Sequence, residues 1–189
     1  MIEQLYKWDR ELFVFLNGLG IEQYDDFWIF VTNIKHWIPL YILFFVLFFS
    51  AFHWKKALLH SLFLFASFFT TLAFTNLVKG FAVRLRPNNN PDLIDVIRVL
   101  QNPTNYSFFS GHASASFVVS TFVILSLKEK YPWIYVVYIW PATFVISRVY
   151  VGVHYPLDLF VGMLVGIMFG FVFHKLYLNV QNKMLRTKA

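Results

Sequence analysis

The chain has 189 residues, of which 58% are hydrophobic and only 14% are charged, a fraction well below the roughly 25% typical of soluble domains. This composition excludes an ordinary water-soluble domain and predicts a single integral-membrane domain, residues 1–189. The net charge is +6, but the cations lie at the ends of apolar runs and not on one polar face, so no nucleic-acid partner is expected. The absence of cysteine excludes disulfides and thiolate metal sites.

The N-terminal 20 residues predict an amphipathic helix at the membrane interface. Leu5, Trp8, Leu12 and Phe15 recur at helical spacing, with most charged residues elsewhere. No cleavable signal is expected, because a basic segment followed by a long apolar run is missing. The apolar stretch 24–34 is brief and, with the first helix, is a candidate for a sixth, broken or re-entrant span.

Five apolar runs then approach the length that crosses a bilayer, about 20 residues. The shorter ones reach that length if their ends enter polar pockets or tilt. They predict an all-α, polytopic membrane bundle of five to six transmembrane helices. The five runs are residues 37–52, 57–78, 113–127, 131–147 and 159–173.

The distribution of cations predicts the orientation of the bundle. Five alternating spans place one group of cations on a single face, which the positive-inside bias makes cytoplasmic. This group is Lys55, Lys56, Lys128, Lys130, Lys175, Lys183, Arg186 and Lys188. A second group of cations lies on the opposite face, against that bias. Binding of an anionic ligand would explain why cations are present there. The second group is Lys79, Arg84, Arg86, Arg98 and Arg148.

The stretch "KGFAVRLRP" contains the first cluster of candidate site residues. Lys79 and Arg86 suit phosphate, since lysine offers a point charge and arginine a planar fork to phosphate oxygens. Cations at a span exit also serve as snorkelling anchors at the membrane edge. The anchor role is preferred for Arg84.

The stretch "FSGHASAS" opens the third span and contains the second cluster. Ser110 is an N-cap type of residue, and Gly111 allows a ligand to approach backbone N–H groups at a helix start, where anions bind. His112 follows at once. A capped helix with an interfacial histidine, or close packing of the small residues, accounts for this stretch equally well.

The stretch "SRVYVGVHYPLD" joins the fourth and fifth spans. His154 and Asp158 lie four residues apart, so a helical turn brings imidazole and carboxylate together and leaves one ring nitrogen free to attack. A structural His–Asp pair explains those two residues alone. It does not explain why Arg148 lies on the face that already holds Lys79 and Arg86.

The three stretches together resemble the signature of the type-2 phosphatidic acid phosphatase superfamily. The family pattern is K-x6-R-P, then P-S-G-H, then S-R-x5-H-x3-D, and residues 79–158 match its order and spacing. Phe109 stands where the family usually has proline. The matching positions are Lys79, Arg86, Pro87, Ser110, Gly111, His112, Ser147, Arg148, His154 and Asp158.

The resemblance implies a role for each candidate residue. His154 would attack phosphorus and form a phosphohistidine, oriented by Asp158, while His112 would protonate the leaving oxygen and then activate water. A further set would bind the phosphoryl oxygens and stabilise the transition state. This set is Lys79, Arg86, Arg148, Ser110 and Gly111. Fixed cations would replace a metal, so neither a metal nor another cofactor is expected.

The predicted function is therefore a lipid phosphatase of the bacterial inner membrane with its site at the periplasmic face. Undecaprenyl diphosphate is the first predicted substrate, with lipid A or phosphatidylglycerol phosphate as alternatives. Membrane lipids are the expected surroundings, and no obligatory protein partner is expected. A soluble vanadium haloperoxidase conflicts with the spans, and a non-catalytic transporter or scaffold would not require both histidines and Asp158. His60, inside the second span, is expected to form a hydrogen bond between helices.

Overall fold

The architecture is a bundle of seven α-helices in residues 2–186, the part of the chain that this computed structural model describes. Lys188, one of the predicted cytoplasmic cations, lies outside the described residues. The helices are α1 (Ile2–Gly18), α2 (Asp25–Thr32), α3 (Ile38–Ala51), α4 (Trp54–Ala82), α5 (Gly111–Leu127), α6 (Ile139–Tyr150) and α7 (Pro156–Arg186). Short 3-10 turns precede α2, α3 and α6, at Glu22–Tyr24, Ile34–Trp37 and Pro132–Tyr138, and another lies at Pro87–Asn89.

The predicted all-α membrane bundle is confirmed. Among the described residues, four segments are long and apolar enough to cross a bilayer, and α5 is a shorter apolar helix. The four are Ile34–Ala51, Trp54–Asn89, Pro132–Tyr150 and Pro156–Met184. Within the apolar stretch 24–34, helix α2 has only 8 residues and is too short to cross a bilayer by itself, so a broken or re-entrant sixth span formed with α1 stays a prediction. The fifth predicted span ended at residue 173, whereas α7 continues to Arg186, since a helix can run on through charged residues once it leaves an apolar layer.

Helix α5 forms the centre of the bundle and packs against α3, α4, α6 and α7. Glycines recur every fourth residue on α7, at Gly162, Gly166 and Gly170, where the helix crosses α5. A Cβ at Gly166 would lie 2.5 Å from the Ser114 carbonyl oxygen, so only glycine allows this approach. Small residues at four-residue spacing permit such close contact between membrane helices. The approach fixes the start of α7 beside the start of α5.

The two ends of the bundle differ. The end that contains the loop 83–110 and the α6–α7 connection, here called the loop end, is rich in buried charge. At the opposite end, called the turn end, short connections join the helices and aromatic side chains fill the core. His60 is buried there, stacked on Phe52 at 4.4 Å and close to Tyr177 at 4.0 Å between ring centroids. The expected hydrogen bond between helices is wrong, because His60 Nδ1 bonds to the Lys56 carbonyl of its own helix at 2.9 Å.

Helix α1 docks on the loop end through buried groups. Phe13 is fully buried and meets Tyr155 edge-on at 5.4 Å. Asn17 is also fully buried, and its amide donates to the carbonyls of Arg98, Val149 and Tyr150 at 3.0–3.1 Å. The opposite side of α1 exposes the predicted apolar residues, Leu5, Trp8, Leu12 and Phe15. The helix is therefore amphipathic as predicted, and its position at the membrane interface stays a prediction.

Candidate active site

Three chain segments meet at the loop end. Helix α4 ends at Ala82, where Val83 takes a left-handed conformation with φ 47° and turns the chain toward the bundle. The second segment is the start of α5. The third is the α6–α7 connection, where Gly152 has φ 81° and lies against the backbone of Arg98. Both the positive φ and this close approach favour glycine, which lets the chain reverse just before His154.

His154 is fully buried at the centre of this region. Its Nε2 lies 2.9 Å from Nη1 of Arg86, and its Nδ1 lies 3.4 Å from Oδ2 of Asp158. A guanidinium can only donate, so Nε2 accepts and the ring proton lies on Nδ1. Burial, followed by the charges of Arg86 and Arg148, lowers the pKa of His154 well below its usual range. The imidazole is therefore neutral at pH 7, with the Nε2 lone pair directed at a cation.

Asp158 is the fully buried partner of this imidazole. Its Oδ2 accepts from the backbone N–H of Tyr155 at 3.0 Å and from the hydroxyl of Ser107. The Ser107 Oγ also lies 3.4 Å from Nδ1 of His154. Ser107 thus contacts both members of the His–Asp pair and belongs to the site, although the sequence did not indicate it.

Arg84 is not the membrane anchor that was expected. Its side chain is only 13% exposed, and Nη1 donates to Oδ1 of Asp158 at 2.7 Å. Its Nη2 donates to Oδ2 of Asp9, in α1, at 2.6 Å. The turn at Val83 directs the guanidinium inward, where two carboxylates compensate its charge. Arg84 and Asp9 are further site residues that the sequence reasoning missed.

The three predicted cationic ligands are all buried. Lys79 Nζ donates to the carbonyls of Tyr106 and Ser107 at 2.5 and 2.9 Å. Arg86 donates from Nε and Nη2 to Asn105, at 2.7 and 2.8 Å. Arg148 Nη1 donates to Thr32 and, at 3.0 Å, to Gln101, while its Nε has no partner among the described residues. The loop therefore orients these two cations, and Arg86 Nη1 also donates to the Val153 carbonyl of the α6–α7 connection at 2.9 Å.

The start of α5 adds the second predicted motif. Ser110 is the N-cap of the helix, and its Oγ accepts from the Ala113 N–H at 3.4 Å. The Ser110 N–H donates to the Asp158 carbonyl at 3.0 Å, which ties this helix start to α7. His112 meets Phe144 edge-on, with 5.3 Å between ring centroids.

A cavity of about 460 Å³ opens beside these groups. Its polar end includes Lys79, Arg86, Gly111, His112 and Arg148. From there it continues between α3, α4, α5 and α6 along apolar side chains, including Phe44, Leu64, Phe68, Leu72, Val119 and Phe144. His154, Asp158 and Ser110 are not part of the wall, whereas Arg86 lines the cavity and also contacts Nε2 of His154 at 2.9 Å. A ligand phosphate would have to take the place of the Arg86 contact to reach Nε2.

Comparison with known families matches residues 60–182 to the PAP2 superfamily. The chain belongs to this superfamily. The matched residues include the whole predicted motif, residues 79–158, and part of the apolar cavity wall, whereas Phe44 on α3 precedes the match. Membrane PAP2 proteins of this kind are lipid phosphatases, so the chain is a phosphoric ester hydrolase of the membrane.

Three relatives of this PAP2 chain have names that indicate substrates. The lipid A 4'-phosphatase of Bacteroides thetaiotaomicron is 30% identical over 96% of this chain and 84% of its own length. The lipid A 4'-phosphatase of Porphyromonas gingivalis is 27% identical, over 97% and 79%. The undecaprenyl-diphosphatase of Sulfolobus acidocaldarius is 31% identical, over 87% and 76%.

Two solved PAP2 structures share the fold. The transmembrane PAP2 type phosphatidylglycerolphosphate phosphatase from Bacillus subtilis superposes with a TM-score of 0.75, covering 94% of this chain and 88% of its own, at 19% identity. Aquifex aeolicus LpxE superposes with a TM-score of 0.62, covering 87% and 93%, at 27% identity. The first likeness supports the fold alone.

The missed residues differ in the signal they left in the sequence. Arg84 lies on the face where the positive-inside bias predicts few cations. That signal could have assigned it to the site instead of to the membrane edge. Asp9 lay among the charges of an amphipathic helix, 149 positions before Asp158, and nothing local connects the two. Ser107 was one of several polar residues in a long loop. Only the folded chain brings these side chains to the His–Asp pair.

Proposed function

We propose that this protein removes a phosphate group from a lipid at the periplasmic face of the inner membrane, through a phosphohistidine on His154. The observation that carries the proposal is the continuity of the cationic cluster with the apolar cavity. A lipid phosphate has the same division, with a charged group joined to hydrocarbon. The apolar walls suit the chain, and the cations suit the phosphoryl oxygens.

The first chemical step follows from the tautomer of His154. Its Nε2 lone pair attacks phosphorus, the bond from phosphorus to the lipid oxygen breaks, and His112 donates the proton that the leaving oxygen takes up. Asp158 balances the positive charge that develops on the imidazole. Lys79, Arg86 and Arg148, with Ser110 and the Gly111 N–H, stabilise the charge on the phosphoryl oxygens.

The second step releases the enzyme. His112, now neutral, accepts a proton from water as the water oxygen attacks phosphorus and the bond to Nε2 breaks. Inorganic phosphate leaves and His154 returns to its neutral form. No step requires a metal, since buried cations already face the cavity, and activity should persist in EDTA.

A lipid A-type phosphate monoester is the proposed substrate. Two relatives that carry the name lipid A 4'-phosphatase match nearly the whole of this chain. Undecaprenyl diphosphate, which the sequence reasoning ranked first, becomes the second candidate and is supported by one relative. The order can be tested directly, because the two lipids differ in both headgroup and chain.

The activity test uses purified protein in detergent with EDTA. Lipid A, undecaprenyl diphosphate and phosphatidylglycerol phosphate are supplied separately, and inorganic phosphate is measured. The proposal predicts the highest kcat/KM on lipid A, with loss of one phosphate by mass spectrometry. A preference for undecaprenyl diphosphate would overturn the substrate, and no phosphate release from any lipid would overturn the function.

The orientation test uses single cysteines, since the native chain has none. Asn89, in the exposed part of the loop, is replaced by cysteine, and Glu129 at the turn end serves as the matched control. In Gram-negative cells with a permeabilised outer membrane, an impermeant thiol reagent should label position 89 and spare position 129. The reverse pattern would contradict a periplasmic site.

A further inference from the structure

Helix α1 reaches the catalytic carboxylate through one buried ionic chain. Asp9 is 6% exposed, and its two oxygens accept from different elements, Oδ2 from Arg84 at 2.6 Å and Oδ1 from the Leu157 N–H at 2.8 Å. Arg84 in turn donates to Asp158 at 2.7 Å. Helix α1, which lies outside the PAP2 match, is thereby connected to the pair that would perform the chemistry.

The surroundings keep Arg84 in place between the two carboxylates. Its guanidinium lies over the ring of Tyr155 at 4.0 Å and over that of Tyr6, on α1, at 5.0 Å. Cations over aromatic faces are stabilised, more so when water is excluded. Phe13 packs on the same Tyr155 ring, so α1 covers the guanidinium and shields it from solvent.

The charges of Asp9, Arg84 and Asp158 determine how well a positive charge on the His154 imidazole is balanced. Asp9 and Asp158 are negative and Arg84 is positive, which leaves one net negative charge. Without Asp9, Arg84 would neutralise Asp158, and the imidazole would face Arg86, Arg148 and Lys79 with no net anion behind it. A positive charge on the imidazole would then be costly in a buried site.

We infer that Asp9 is a positioning residue for the reaction at His154, because it shares the Arg84 guanidinium and so leaves Asp158 free to balance the phosphohistidine charge. This inference rests on the proposed role of His154. Asp9 touches neither substrate nor the attacking nitrogen. Its effect should therefore fall on kcat and leave KM nearly unchanged.

The test compares Asp9→Asn, Arg84→Gln and the double variant with the parent protein. The Asn oxygen can still accept from the Leu157 N–H, but the amide nitrogen then faces the Arg84 guanidinium, so Asp9→Asn removes the charge and the hydrogen bond to Arg84 with little change of shape. We expect kcat to fall on the order of tenfold with KM close to the parent, and the melting temperature to fall as well, because the buried Arg84 loses one of its two carboxylates. The double variant restores one net negative charge at Asp158, so its kcat should exceed that of Asp9→Asn.

The matched control breaks a second ion pair between the same helix and the loop 83–110. Arg10 and Asp92 are exposed and lie 3.6 Å apart, away from the carboxylates of the site. Asp92→Asn should leave kcat unchanged. Parent activity is measured first, so a protein that hydrolyses no lipid phosphate refutes the proposed function and not the role of Asp9.

Two results would overturn the inference in an active protein. One is a kcat for Asp9→Asn equal to that of the parent. The other is a double variant slower than both single variants with a lower melting temperature, which is the behaviour of a residue that only docks α1. Residues in contact are non-additive in any role, so the decisive result is recovery of kcat in the double variant without recovery of its melting temperature, which a docking role does not produce.

Discussion

Two buried histidines at opposite ends of the bundle show how different the environments of one residue type can be. His60, at the turn end, is surrounded by Phe48, Phe52 and Tyr177 and bonds only to a carbonyl of its own helix. His154, at the loop end, is in hydrogen-bond range of Arg86, Ser107 and Asp158. Both rings are almost completely inaccessible to solvent.

The difference lies in what each ring nitrogen can do. The partners of His60 are apolar faces and one acceptor, so its ring fills space in the core. The partners of His154 fix its proton on Nδ1 and hold the lone pair of Nε2 beside Arg86, which is proposed to bind phosphate. Burial alone therefore does not indicate a catalytic histidine, and the identity of its partners does.

Substitution at the two histidines should give opposite phenotypes. We expect His154→Gln to lower kcat by about 10⁴-fold, since loss of a nucleophile is among the most severe changes in an active site. We expect His60→Ala to keep the parent's kcat and to lower the free energy of unfolding by about 2 to 4 kcal/mol, because it opens a cavity among aromatic rings. Phosphate release and unfolding in detergent measure the two effects.

Gln is the choice at position 154 because it is close in size to histidine, which keeps the loop end packed. A His154→Gln protein that unfolds as the parent does and still turns over would break the comparison. So would a His60→Ala protein that folds normally but is inactive.

Replacement of His112 should produce the next largest effect. The proposed general acid contributes about 10² to 10⁴-fold, and His112→Gln should lose activity within that range on a lipid substrate. The loss should be much smaller on p-nitrophenyl phosphate, whose leaving oxygen needs no proton. An equal loss on both substrates would show that His112 does not protonate the leaving group.

Substitution of Ser107 tests the hydrogen bonds that its hydroxyl makes with the His–Asp pair. Its hydroxyl contacts Asp158 and lies near Nδ1 of His154, so Ser107→Ala should lower kcat by about tenfold with little change in KM. Ser107→Thr, which keeps a hydroxyl, should recover most of that activity. Kinetics of the two variants separate a hydrogen-bonding role from a packing role, because a kcat equal to the parent's in Ser107→Ala with a loss in Ser107→Thr would favour packing.

The pH profile should show the smallest effect. Burial, then Arg86, Arg148 and Lys79, lowers the pKa of His154. The neutral imidazole is the attacking form, so activity should persist as the pH falls through about 6.5, the usual value, and disappear only below the lowered pKa. Removal of a nearby cation raises that pKa, and Lys79→Met should move the acidic limb of kcat/KM upward. An acidic limb of the parent's kcat/KM above pH 6.5, or a shift of that limb to lower pH in Lys79→Met, would contradict a lowered pKa of His154.

Most of the helical scaffold could be predicted from the sequence, because membrane spans are long, apolar and formed by contiguous residues. Runs such as 57–78 and 113–127 predicted α4 and α5. The motif spacings predicted that Lys79, Arg86, His112, His154 and Asp158 lie at one end of the bundle. Helix ends were less certain, since α7 continues past the charged residues that closed its predicted span. A broken sixth span around residues 24–34 stays a prediction, since α2 is too short to cross a bilayer by itself.

The connections within the site could not be read from the sequence in the same way. Arg84 depends on a left-handed Val83 that turns it inward, and Asp9 depends on the docking of α1 across the start of α7. These contacts join residues 75 and 74 positions apart. No periodicity or spacing rule predicts such pairs, since they arise from how the helices pack.

The most direct test of the central claim is to trap the phosphorylated enzyme. Protein with bound lipid phosphate is quenched in alkali within its first turnover, digested and examined by mass spectrometry, because phosphohistidine survives base. The proposal predicts a phosphoryl group on His154 in the parent protein and none in His154→Gln, and His60→Ala should be labelled as the parent is. An active parent that releases phosphate with no label on His154, or with the label on another residue, would contradict it.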